Sequence, residues 1–176
     1  MKLTILGSGT AIVTARRGSS GYLIKIADKT LLLDSGSGTL KKIAEASSSF
    51  KEIDYAIYTH LHPDHVTDLI SLLFALRIPS NYKSKDLTVI GPAGMKEFHR
   101  KLTETFDNFI EPRGYELTIN ELSGGDLDFE DFKLTSSLIN HHEGSLAYRV
   151  EEKGGKTIVY SGDTDYCESI VELAHD

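Results

Sequence analysis

Along the first half of the chain, short apolar bursts alternate with polar turns, and the apolar period switches between two and about four. Residues 3–6 (LTIL), 22–26 (YLIKI) and 30–33 (TLLL) predict three short strands. Gly7-Ser8-Gly9-Thr10 and Ala27-Asp28-Lys29 supply the turns after the first and second. Leu40, Ile43 and Ala44 then fall on one helical face. A fourth strand is predicted over residues 53–59 (IDYAIYT). Val66, Leu69, Ile70 and Leu73 follow at i, i+3, i+4 and i+7, an amphipathic stripe that Pro79 ends. Residues 87–90 predict another strand, and Gly91-Pro92 opens a helix that turns Met95, Phe98 and Leu102 inward.

From Tyr115 onward the pattern is that of strands: residues 116–121, 132–139, 146–150 and 157–160, the last pair joined by a hairpin at Glu152-Lys153-Gly154-Gly155. After Asp163 an incipient helix carries Ile170, Val171 and Ala174. Interleaved helices and strands, several of them in hairpins, predict an α+β fold of mixed sheets covered by helices. The 176 residues fit one domain with a sizeable core.

One hexapeptide does not belong to any packing pattern. His60-Leu61-His62-Pro63-Asp64-His65 places three imidazoles and a carboxylate where a strand ends. These groups are ligands for borderline or hard divalent ions. Pro63 keeps His60 and His62 on an extended loop, and Asp64 is expected at a helix N-cap with His65 beside the first turn. Two geometries on one segment suggest two adjacent metal positions. His141-His142 and Asp163 also follow predicted strands, so several strands can deliver His and Asp to one sheet edge. A carboxylate suits a bridging role, since each oxygen can bind one cation. Asp34 either orients a ligand from behind or closes the Ser35-Gly36 turn. Arg149 either reaches a phosphate or pairs with a nearby Glu. His99 reads as a surface histidine.

Composition narrows the class. Hydrophobic content of 40% and charge of 26% are those of a soluble globular protein, and no apolar run approaches membrane-spanning length. The single cysteine, Cys167, rules out an internal disulfide, and a cytoplasmic location is expected. A net charge of -7 argues against a broad electropositive surface for long nucleic acid.

The motifs His60-x-His62-x-Asp64-His65, His141-x-x-x-Ser145-x-Ala147-Tyr148-Arg149 and Ser161-Gly162-Asp163-Thr164 together resemble the metallo-beta-lactamase superfamily, and within it the ribonuclease Z-like branch. LGSGTA at the start and LLLDSGSGT further on are similar to that branch too. The resemblance implies an αββα sandwich. It implies that His60, His62 and His141 hold one metal, and that Asp64 and His65 hold a second with Asp163 bridging. His141 is chosen over His142 because the family spaces its third histidine four residues before the small residue. Members carry a further histidine beyond the bridging aspartate, so residues 1–176 are expected to be one domain lacking the C-terminal part of the fold. Members of one major type that process tRNA hold it with a long arm between the Tyr-Arg and Gly-Asp-Thr strands. Here a hairpin alone fits, which weighs against tRNA.

The resulting expectation is a dinuclear metal-dependent hydrolase, of phosphodiesterase or ribonuclease Z-like type. It would use two divalent ions (Zn first, Mn or Fe next) to activate water, with Asp64 as the catalytic proton acceptor. The same site would serve a thioester or lactone, and a non-catalytic metal-binding domain is the third reading. The substrate expected is a phosphodiester or small ester; no membrane partner is implied, and the resemblance leaves room for a homodimer.

Overall fold

The computed structural model describes residues 1–78 and 85–175. Ten strands form two sheets: β1 (Lys2–Gly7), β2 (Gly21–Ile26), β3 (Lys29–Ser35), β4 (Tyr55–Ile57), β5 (Leu87–Pro92), β6 (Leu117–Leu122), β7 (Gly125–Asp128), β8 (Phe132–Leu138), β9 (Leu146–Glu152) and β10 (Thr157–Tyr160). The helices are α1 (Thr39–Glu45), α2 (Pro63–Val66), α3 (Asp68–Leu76), α4 (Met95–Thr105) and α5 (Glu168–Ala174), with a 3₁₀ turn at Phe50–Glu52. The first sheet runs β1-β2-β3-β4-β5-β6, antiparallel through β3 and parallel from β3 to β6. The second is wholly antiparallel, ordered β10-β9-β8-β7.

Strand β3 shows why the first sheet is central. Leu31 and Leu33 face the second sheet, where they pack with Ile57, Ile90, Phe132, Leu134 and Tyr148. Leu32, on the opposite face, joins Ile43, Leu69, Leu73 and Met95 under the helices. A strand covered on both faces reads as an unbroken apolar run, which is what TLLL is. The second sheet is covered on its far side by α5, where Ser169 donates to the Leu138 carbonyl at 2.6 Å. Among the described residues, no helix is long and apolar enough to cross a membrane.

Several expectations are corrected. The strand predicted over 53–59 pairs only at Tyr55–Ile57, because the chain must leave the sheet to present the histidine loop. The N-cap of α2 is His62 rather than Asp64, with Pro63 at the first helical position, where its missing N–H costs nothing. Gly91 and Pro92 finish β5 rather than open α4, whose N-cap is Gly94 in the left-handed region at φ 94°. Strand β7, a four-residue edge strand of polar composition, carried no periodic signal. In α5, Leu173 is the buried residue, whereas Val171 is exposed. Pro79 lies outside the described residues. His99 is half-buried, and its Nε2 is enclosed without a partner, so it is not a surface histidine.

Just past β3, Gly36 is where the first sheet touches the histidine loop. A Cβ there would sit 1.9 Å from the Asp64 carbonyl oxygen and 2.3 Å from Ser19 Cβ. Gly36→Ala therefore overpacks a site with no free volume. The expected cost is about 2 kcal/mol, read as a fall in Tm of roughly 4–8 °C in calorimetry; an unchanged Tm would show that the loop is not clamped at this point.

Candidate metal centre

Three chain segments meet at one edge of the two sheets. Thr59 and His60 follow β4, and the loop enters α2 through His62 in extended conformation (φ -67°, ψ 146°). His141 sits in the β8–β9 turn, which closes through Ser145 N–H to the His142 carbonyl at 2.9 Å. That turn is tied to the first sheet by Leu146 N–H donating to Thr59 O at 2.9 Å. Asp163 follows β10 through Gly162, at φ 59°, where a Cβ would lie 2.8 Å from the Thr59 side chain. Only glycine allows that approach.

The convergence yields two overlapping groups. One ligand atom each from His60, His62 and His141 lie within 4.8 Å of one another, and so do those of His60, His65 and Asp163. His141 Nε2 is 3.2 Å from His62 Nδ1. His65 Nε2 is 3.3 Å from Asp163 Oδ1 and 3.7 Å from Asp64 Oδ2. Asp64 thus borders the second group without completing it, and His60 belongs to both. His142 stays out of both groups, its Nδ1 facing the Glu143 carbonyl at 3.1 Å. Arg149 also stands apart: its guanidinium reaches Glu151 at 3.1 Å and donates to the carbonyls of Leu173 and His175.

Asp34 orders the centre from behind. It is fully buried at φ 52°, a left-handed conformation that costs a non-glycine residue of order 1–3 kcal/mol. Its carboxylate accepts from Thr59 N–H at 2.9 Å, Thr59 Oγ1 at 2.9 Å, His65 Nδ1 at 2.7 Å and Tyr160 Oη at 2.6 Å. The Thr59 hydroxyl has one proton, spent on Asp34, so it must accept from His60 Nδ1–H at 3.0 Å. That fixes the tautomer of His60 and leaves its Nε2 as a bare lone pair, buried and without a partner. The same logic leaves His65 Nε2 facing Asp163 and Asp64. Sequence reasoning named Asp34 and missed Thr59 and Tyr160. Tyr160 has no local signal, since its partner lies across the sandwich.

Protonation follows the same geometry. Burial, then the neighbouring imidazoles of His65, His62, His141 and His142, push His60 down to about 3. Burial also opposes charge on His65, but its hydrogen bond to Asp34 and the charges of Asp34, Asp163 and Asp64 outweigh that and raise its pKa. Burial, then the Asp34 charge, hold the Tyr160 phenol protonated as a donor. An orphaned buried imidazole nitrogen, two more nitrogens face to face, and adjacent carboxylates form a donor set that fits a divalent cation.

Known proteins similar to this chain are readily found. Ribonuclease Z of Archaeoglobus fulgidus is 29% identical over 152 residues, covering 86% of this chain and 48% of that protein. Ribonuclease Z of Nanoarchaeum equitans is 32% identical over 150 residues, covering 85% and 46%. The chain therefore spans about half the length of these relatives. Among solved structures, the short form of human tRNase Z superposes with TM-score 0.81 at 23% identity, over 98% of this chain and 74% of that one. A metallo-beta-lactamase fold protein of Bacillus subtilis gives 0.81 at 25%, over 99% and 68%. A family model described as the metallo-beta-lactamase superfamily matches residues 14–174. With two stacked sheets, a histidine-rich edge and that match over nearly all its length, the chain belongs to the metallo-beta-lactamase superfamily.

Proposed function

We propose that this chain carries the centre of a metal-dependent phosphodiesterase of the ribonuclease Z type. The observation that carries the reading is the meeting of His60, His62 and His141 with His65 and Asp163 around the bare Nε2 of His60. His60, His62 and His141 would hold one divalent ion. His65, Asp163 and Asp64 would hold a second; zinc suits this nitrogen-rich set. Bound cations supply Lewis-acid charge and lower the pKa of a water from ~15.7 toward about 7.

The protein groups do the rest. Asp34 locks His65 and, through Thr59, His60 in the tautomers that expose Nε2. Asp64, partly exposed 3.7 Å from His65 Nε2, would take and orient the proton of the activated water. Buried Thr59 keeps solvent away from the back of the centre, and half-buried Tyr160 closes onto Asp34 beside it. Relatives named Ribonuclease Z support an RNA phosphodiester as substrate. A cytoplasmic setting, with Cys167 a free thiol, and a homodimer belong to the same proposal.

Four measurements test this reading. Elemental analysis should find two equivalents of metal in the wild-type chain. His62→Ala should lose the metal of the three-histidine group and at least about a hundredfold of its bis(p-nitrophenyl) phosphate turnover, while His142→Ala keeps both. Wild-type metal content in His62→Ala would sink the assignment. Asp34→Asn should weaken metal binding 10–100-fold, measured by chelator competition. Proton NMR of the metal-free protein should show His60 neutral through neutral pH and titrating only near 3. Between 6.5 and about 3 the unfolded chain then binds a proton at this residue that the native chain does not, so His60 lowers stability as pH falls through that window. His65 has the opposite sign: its contribution is complete below 6.5 and disappears as pH rises through its raised value.

A further inference from the structure

The β1–β2 loop runs along the metal centre and then turns away from it, carrying two arginines that the centre does not use. Near its end, Ser19 packs within 4 Å of where a Gly36 Cβ would stand, the same space the Asp64 carbonyl borders. Ala11, Val13 and Ser19 line a crevice shared with Pro63, Asp64 and Thr67. Ser8 and Gly9, at its beginning, line a second hollow that includes Asp163. The loop therefore touches both the α2 side and the β10 side of the centre.

At its tip the chain is held in a tight turn. Thr14 Oγ1 accepts from the N–H groups of Arg16 at 3.2 Å and Arg17 at 3.1 Å, and Thr14 N–H donates back to the Arg17 carbonyl at 2.9 Å. Both arginines are exposed, and they line a cleft of about 340 Å³ together with Thr14, Gly18 and Lys42. Lys42 is matched by Glu45 at 2.7 Å. Several other cations are similarly neutralised, as Lys25 is by Glu52, Lys133 by Asp126 and Arg100 by Glu97. Among the described residues, Arg16 and Arg17 have no carboxylate partner. In a chain of net charge -7, this is a local positive field that no neighbouring anion cancels.

Resting on the phosphodiesterase reading above, we propose that Arg16 and Arg17 form an anchoring subsite for the phosphates of a single-stranded RNA whose scissile bond lies at the histidine cluster. Two adjacent guanidinia on an ordered turn match successive backbone phosphates, and arginine binds phosphate through a planar fork of donors. Arg17 is two residues from Ser19, so the subsite lies about 7 Å of chain away from the wall of the centre. A strand crossing the centre then continues over Val13 onto the turn. The contact is with backbone, so it positions the substrate without reading its bases. It also gives a protein of acidic net charge a place to hold nucleic acid without the long arm between β9 and β10, where only a four-residue turn stands.

The test uses fluorescence anisotropy with a labelled single-stranded RNA dodecamer across a series of salt concentrations, beside turnover of bis(p-nitrophenyl) phosphate. The Arg16→Ala/Arg17→Ala variant should bind the RNA at least about tenfold more weakly at 0.1 M salt, and the slope of log K against log salt should flatten by about 1.4. Arg16→Lys/Arg17→Lys should restore most of the slope, since counterion release counts charge. Turnover of the small diester, which cannot reach the turn, should be unchanged in both variants. Equal affinity and slope in wild type and the Ala variant would overturn the subsite, as would wild-type protein that turns over the small diester but does not bind the RNA. Loss of small-diester turnover in wild type would instead count against the hydrolase reading, while the anisotropy comparison still decides the subsite.

Discussion

The Asp34 carboxylate is the constraint on which the centre depends. It leaves β3 in a left-handed conformation, fully buried, and is paired there by four donors from three other segments. A buried anion with fewer donors would be costly, and a half-filled set would be worse than none. The local backbone cost is thus offset by a saturated hydrogen-bond shell. That shell in turn decides the tautomers of His60 and His65, hence which nitrogens face the centre.

The same carboxylate joins the layers. Tyr160 comes from the second sheet, Thr59 and His65 from beside the first, and Ser20 braces the Tyr160 hydroxyl at 2.6 Å. Tyr148 adds a second tie, donating across the interior to the Tyr58 carbonyl at 2.9 Å. Both tyrosines are apolar bodies in the inter-sheet core with a polar tip at its edge. Packing and polar order meet at this edge, so the position of the ligands is set by the core itself. His60 and His62 sit on a loop, and close contacts of Gly36 with Asp64 and of Gly162 with Thr59 leave that loop little room to move.

Charge is organised on the same plan. Acidic and imidazole groups collect at the centre, and ion pairs neutralise most of the outer surface. The arginine turn has no such pairing, and it stands beside the centre on the loop that walls it. Fixed positive charge thus stands next to a cluster of imidazoles and carboxylates, two fields of different kind on one edge of the sandwich.

Much of this was legible in the order of residues. The strand and helix periods followed from burial on one or two faces, and the cluster from His60 to His65 announced its chemistry because imidazoles at that density have no packing role. His141 and Asp163 were visible as polar residues closing strands. What the chain order could not determine was distance. That His141 rather than His142 enters the cluster depends on how the β8–β9 turn is closed; that Asp64 borders the second group depends on where α2 begins; and that Arg149 points toward α5 depends on the face of β9 it occupies. Thr59 and Tyr160 became recognisable only once folding brought residues up to 126 positions apart into hydrogen-bond contact with Asp34. Residue types and local periodicity set the available chemistry, whereas the stacking of two sheets decided which of those groups share a few ångströms of space.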